Sequence, residues 1–320
     1  MNAPTLTDVL QARRRIAPYL ARTPLHRYAG LDALIGTAVY VKHENHHPVC
    51  AFKVRGGINL IAQLSPEERA RGVVTASTGN HGQSIAFASR LFGVTARVCV
   101  PEGSNPGKLA AMRGLGAELI VAGQKFDDAR RNADRIGREQ GFRYIHSGNE
   151  PHLIAGVGTE ALEMLEDEPA LDVIIVPVGG GSGAAGTCIA AKAINPRIEV
   201  IAVQASAARA AYESWKQRRP IVMPNETFAE GLATGEPFEL PQAILREMLD
   251  DFVLVDDAAL LQAMVWYAEH AHTLAEAAGA SPLAAAWQLR ERLAGKKVGL
   301  VLSGGNTSLA HLRRALTEVA

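Results

Sequence analysis

The chain has 320 residues, 48% of them apolar and 21% charged, with 33 basic against 33 acidic side chains. That length admits one large domain or two lobes, and the balanced charge gives no reason to expect nucleic acid or an acidic membrane surface as a partner. Cys50, Cys99 and Cys188 stand far apart with no Cys-x-x-Cys pair, which argues against a zinc site or a disulfide framework and for a cytoplasmic protein.

The opening MNAPTLTDVL lacks a basic stretch leading into an apolar one, so no signal peptide is expected. Short β-branched runs then recur: AVYVKHE, GVVTAS, ARVCVP, AELIVAG, FRYIHS, VIIVPV, EVIAVQA, DFVLVD and KVGLVLS. None is long enough to span a bilayer. Several are separated by segments with apolar residues at helical spacing. In FDDARRNADRIGREQG, Phe126, Ala129, Ala133 and Ile136 share one face. Strand alternating with helix predicts an α/β protein with open parallel sheets covered on both sides. There is no internal repeat and no long linker, so a second domain must arise by the chain leaving one sheet and returning.

Four stretches carry unusual chemistry. In CAFKVRGG, Lys53 follows the apolar pair Ala51-Phe52 and precedes Arg55 and two glycines. In VVTASTGNHGQ a strand ends in Ser77-Thr78-Gly79-Asn80-His81-Gly82 and a helix follows; free N–H groups there suit a carboxylate, or Ser77 or Thr78 simply caps the helix. In VIIVPVGGGSG a buried strand meets Gly179, Gly180, Gly181, Ser182 and Gly183. Three consecutive glycines fit a nest of N–H groups around a phosphate, with no Gly-Lys-Ser/Thr to make it a nucleotide loop. The fourth, Ser303-Gly304-Gly305-Asn306 after KVGLVL, reads by itself as a strand-to-helix turn. An amine, a phosphate cradle, a carboxylate cradle and a neutral hydroxyl together suit pyridoxal 5′-phosphate acting on an amino acid.

In this order the motifs KHEN, AFKVRGG, STGNHGQ, GVGTE, PVGGGSG, FAEGLA, EAAGA and SGGN resemble the fold-type II pyridoxal-phosphate enzymes of the threonine dehydratase and serine racemase family over nearly the whole chain. The resemblance implies two open parallel-sheet α/β domains with the cofactor between them: a large one from residues 1–45 and 148–320 and a small mobile one from 46–147. It implies Lys53 as the Schiff-base lysine and α-carbon proton carrier, and Phe52 near the ring. Asn80 would bond the ring hydroxyl, Gly179 to Gly183 would hold the phosphate, and Ser303 would face the pyridine nitrogen, with Gly231 and Glu276 nearby. Ser77, Thr78, Gly79, Asn80 and His81 would bind the substrate, Thr78 also standing where racemases carry a second acid/base.

The implied reaction is the dehydration of a β-hydroxy-α-amino acid to a 2-oxo acid and ammonia. Serine or threonine is the default substrate; a bulkier one such as phenylserine, hydroxyaspartate, or a racemase reaction is the alternative. A homodimer is expected, without a regulatory domain. The chain departs from the family pattern in three places. Val49-Cys50 stands for Thr-Gly before the lysine motif, and Ala277 for the proline of Glu-Pro-Ala-Gly. Gln204 and Ala210 stand for the acidic residues that bind a divalent cation in serine racemase-like members, so no metal is expected and activity should survive chelation.

Overall fold

The computed structural model describes residues 2–319. Its strands are β1 (Leu25–Arg27), β2 (Ala38–His43), β3 (Val73–Ala76), β4 (Ala96–Val100), β5 (Glu118–Val121), β6 (Arg143–Tyr144), β7 (Val173–Pro177), β8 (Glu199–Ala205), β9 (Asp251–Val255) and β10 (Lys297–Leu302). All nine β-branched runs form strands. The tenth, β1, is a three-residue edge strand too short and too polar to stand out in sequence.

The strands form two sheets, ordered β1-β2-β10-β7-β8-β9 and β5-β4-β3-β6. Only β1 pairs antiparallel; every other strand pairing is parallel. In the six-stranded sheet, Val173, Ile175, Ile201 and Val203 pack into one core with helix Ala277–Gln288, while Ile174, Val176, Val200 and Ala202 pack into another with helix Ser182–Ile194. Alternate residues of one strand thus feed opposite helical layers, which is why these strands read as unbroken apolar runs. In the four-stranded sheet Ala129, Ala133 and Ile136 cover one face, as their spacing predicts. Phe126 departs from that expectation: it opens helix Phe126–Gln140, is 39% exposed and turns toward the cavity described below. Among the described residues no helix is long and apolar enough to cross a membrane.

Helix Lys53–Ile61 packs on helices Asn80–Leu91 and Pro151–Val157 at a separation only glycine allows. A Cβ on Gly57 would lie 2.3 Å from Ser84 Oγ, and one on Gly156 would lie 2.7 Å from Gly56 Cα. Arg55 on this helix is not solvated. Its Nε donates to Glu44 Oε2 at 2.7 Å, Nη1 to Glu163 Oε1 at 2.8 Å and Nη2 to Glu163 Oε2 at 2.7 Å. Lys42 Nζ donates to Glu163 Oε2 at 2.7 Å. Two cations and two carboxylates, all buried, therefore balance one another beneath the helix that begins with Lys53.

Candidate active site

A cavity of about 570 Å³ opens at the carboxyl ends of β3, β7 and β10, where open α/β sheets bind ligands. The residues that the family resemblance places around the cofactor and substrate all line it: Phe52 and Lys53, Ser77 to His81, Gly179 to Gly183, Gly231, Glu276 and Ser303.

Lys53 is brought there by a strap running alongside the turn after β10. Ala51 pairs with Gly304, Phe52 N donates to Ser303 O at 2.9 Å, Gly305 N to Cys50 O at 2.9 Å and Asn306 Nδ2 to Val49 O at 2.8 Å. Cys50, standing where the family pattern has glycine, takes φ +52°, a left-handed conformation glycine enters freely. Lys53 Nζ donates to Ser182 Oγ at 2.7 Å and lies 4.9 Å from the Phe52 ring centroid. Loss of water around the ammonium pushes it down to about 8, with the buried Glu160 carboxyl pulling the other way. Glu160 is itself pushed well above the carboxylate range, first by burial.

The glycine loop fits a phosphate. Gly181 is the N-cap of helix Ser182–Ile194 at φ +86°, and no side chain caps the helix, so its first N–H groups are free for an anion. A Cβ on Gly179 would lie 2.2 Å from Gly231 O, and one on Gly180 2.2 Å from Phe238 Cε2, so both glycines are required sterically.

The Ser77–His81 loop is more committed than the sequence suggests. Gly79 is the N-cap of the following helix, and the side-chain acceptor in its first turn comes from two residues before it. Ser77 Oγ accepts from Gly79 N at 3.1 Å and Gly82 N at 2.9 Å, shaping the turn. Asn80 Nδ2 donates to Glu276 Oε1 at 2.6 Å, and Asn80 Oδ1 accepts from Asn306 Nδ2 at 2.8 Å. Burial pushes the Glu276 carboxyl up. Thr75 Oγ1 gives its proton to Ile145 O at 2.8 Å, so it accepts from His81 Nε2 at 2.9 Å. His81 Nε2 therefore carries a proton, and burial, then Lys53, pushes the ring's pKa down to about 3, which favours its neutral form.

Several lining residues went unnoticed in the sequence. Lys108, whose Nζ binds Glu230 Oε2 at 2.7 Å, and Arg130, whose Nη1 binds Glu236 Oε1 at 2.7 Å, reach across the cavity mouth. Tyr144 and His146 complete that wall. His146 Nδ1 accepts from Gly148 N at 3.1 Å and Asn149 N at 3.0 Å, and burial pushes its pKa down to about 4. The FAEGLA motif contains Glu230 and could have pointed to it; Arg130 and Glu236 carry no local signal. Of the departures at the cation positions, Gln204 Oε1 accepts from Tyr212 N at 3.1 Å. Among the described residues no three His, Cys, Asp or Glu side chains cluster to hold a metal ion.

Residues 16–304 match the model of the family described as pyridoxal-phosphate dependent enzyme. The chain is 38% identical over 315 residues to the L-threonine ammonia-lyase of Thermotoga maritima, covering 98% of this chain and 78% of that one. It is 36% identical over 310 residues to the L-threo-3-hydroxyaspartate ammonia-lyase of Saccharomyces cerevisiae, covering 97% and 95%. The structure of maize serine racemase superposes with a TM-score of 0.93 at 33% identity, covering 98% and 97%. A lysine at the mouth of an uncapped, glycine-lined helix N-terminus, in a chain related to these proteins over nearly its full length, makes it a member of the pyridoxal-phosphate dependent enzymes of fold type II.

Proposed function

We propose that the enzyme is an ammonia-lyase that converts an uncharged β-hydroxy-α-amino acid, of the serine or threonine type, to a 2-oxo acid and ammonia. The observation that carries this reading is the partly desolvated Lys53 amine, held by Ser182 between the glycine cradle and the Ser77–His81 loop. Bound pyridoxal phosphate supplies the electron withdrawal that makes the substrate's α-proton removable. In this reading the N–H groups from Gly179 to Gly183 hold its phosphate and Phe52 walls its ring. Gly79, Asn80 and His81 open a second helix N-terminus toward the substrate carboxylate. Lys53 Nζ takes the α-proton, and the β-hydroxyl leaves with a proton as water. Ser303 would offer the ring nitrogen a hydroxyl instead of a carboxylate, a weaker support for its protonation that would favour loss of the β-group over transamination. The pairing of Arg130 with Glu236 supports a substrate without a second negative charge. Residues 46–147 are read as the smaller lobe, whose strands form their own sheet, and three free cysteines suit a cytoplasmic setting.

A panel of serine, threonine, phenylserine and 3-hydroxyaspartate, each followed by 2-oxo-acid formation, tests the reading; serine or threonine should turn over fastest. Thr78→Ala decides between elimination and racemisation. Lys53 and the cradle remain in that variant, so keto acid should still form, and chiral chromatography of unreacted substrate should find little of the opposite enantiomer in either protein. Build-up of that enantiomer faster than keto acid, abolished by Thr78→Ala, would make the enzyme a racemase.

The depressed Lys53 pKa gives a pH dependence in the cofactor-free protein. The neutral amine attacks the aldehyde, so the rate of cofactor attachment should climb with pH up to about 8 and level off above it. A rate still rising steeply toward the ordinary lysine range would mean the amine is not desolvated.

A further inference from the structure

We propose, on the basis of the ammonia-lyase reading, that Glu236 sets substrate preference by occupying Arg130, and that freeing Arg130 opens the site to β-hydroxy amino acids bearing a second carboxylate. Arg130 stands on helix Phe126–Gln140 of the four-stranded layer and lines the same cavity as Lys53. Its Nη1 is 2.7 Å from Glu236 Oε1, its Nη2 is 3.5 Å from Asp127 Oδ1, and its Nε is buried without a partner. Of the other lysines on this side of the cavity, Lys108 is taken by Glu230 in the same irregular segment, and Lys125 lies at the start of the helix that carries Arg130. His146 beside them is neutral at physiological pH, since its Nδ1 accepts two backbone N–H bonds. The cavity thus presents the Arg130 guanidinium already paired with a tethered carboxylate.

A substrate carboxylate arriving there must displace Glu236 or face it, and either is unfavourable. An uncharged β-substituent meets no such competitor. Glu236 is itself 43% exposed on its side chain, so replacing it leaves no buried void. Glu236→Gln keeps the size and removes the charge; Arg130 then keeps only the longer contact of Nη2 with Asp127, and Nη1 and Nε are free to receive a carboxylate.

The test uses the cofactor-loaded enzyme and two readouts. Calorimetric titration with malonate reports dicarboxylate binding without turnover. The ratio of kcat/KM for 3-hydroxyaspartate to that for serine reports preference. In Glu236→Gln and in Glu236→Ala, malonate should bind about tenfold more tightly than in the wild type, and the ratio should rise about tenfold, chiefly through KM. Both gains should vanish when Arg130→Gln is added. Unchanged malonate affinity and ratio in both single variants, or gains that survive the loss of Arg130, would overturn the proposal. If the wild type turns over neither serine nor threonine, the ammonia-lyase reading fails, and the malonate titration still decides what Glu236 does.

Discussion

Lys53→Ala is expected to lower turnover by several orders of magnitude while the protein still binds pyridoxal phosphate. On the proposed reading the substitution removes the covalent attachment point and the base together, and groups that act as a unit are lost as a unit. The fold should tolerate it, because Lys53 is the first residue of its helix and its recorded side-chain partner, Ser182, keeps its own place at the start of helix Ser182–Ile194. Binding should persist because the glycine cradle does not depend on the amine. Borohydride should fix the cofactor to the wild type, with the added mass on the Lys53 peptide, and should leave the variant unlabelled. Near-normal turnover, or labelling of another lysine at wild-type yield, would sink the assignment.

Glu163→Ala should be the most damaging substitution for stability. Glu163 accepts from both Arg55 and Lys42 in a site from which water is excluded. Its removal leaves Arg55 paired with Glu44 alone and takes from Lys42 the carboxylate its ammonium binds, and breaking a buried pair in this way costs about 3–5 kcal/mol. Burial raises the Glu163 pKa, but its bonds to Arg55 and the charges of Arg55 and Lys42 outweigh that and hold it below the usual carboxylate range. A carboxyl with a depressed folded-state pKa contributes stability that is complete above its unfolded pKa and is lost as pH falls through the folded value. Urea unfolding at neutral pH should therefore show the full loss in Glu163→Ala, and the gap from the wild type should narrow on acidification. A loss below about 1 kcal/mol at neutral pH would mean the four charges do not act as a unit.

What could be read from the sequence was what lies close together along the chain. A lysine after two apolar residues, three consecutive glycines after a buried strand, and Ser77 to His81 between a strand and a helix each form one turn, and all of them line the cavity. The central strands were legible because β3, β7, β8 and β10 are buried along nearly their whole length, and the edge strands β5 and β6, though partly exposed, still carry short runs of β-branched or aromatic residues. Pairings across the fold were not. Lys108 meets Glu230 from 122 residues away, and Arg55 meets Glu163 from 108. Nothing in the local pattern distinguishes these charges from solvated ones. Asn80 illustrates the limit at a residue that was singled out: its position in the cavity could be anticipated, but its engagement with Glu276 and Asn306 could not. Phe126 fits the apolar spacing of its helix, yet at the first turn it extends past the sheet it should cover.

The strap that carries Lys53 has a consequence for how the enzyme matures. Val49 to Phe52 are held by residues 303–306, and β10 is inserted between β2 and β7, so the beginning of the chain is completed by its end. A polypeptide emerging from the ribosome can assemble the four-stranded sheet from residues 73–144, but the strap before Lys53 gains its partners only once β10 and residues 303–306 have been made. Contacts this distant in sequence close late and slowly. On the proposed reading, a product truncated before β10 has Lys53 and both helix N-termini but lacks residues 303–306 that hold the strap, and stalled nascent chains assayed for borohydride-fixable cofactor would display that dependence directly.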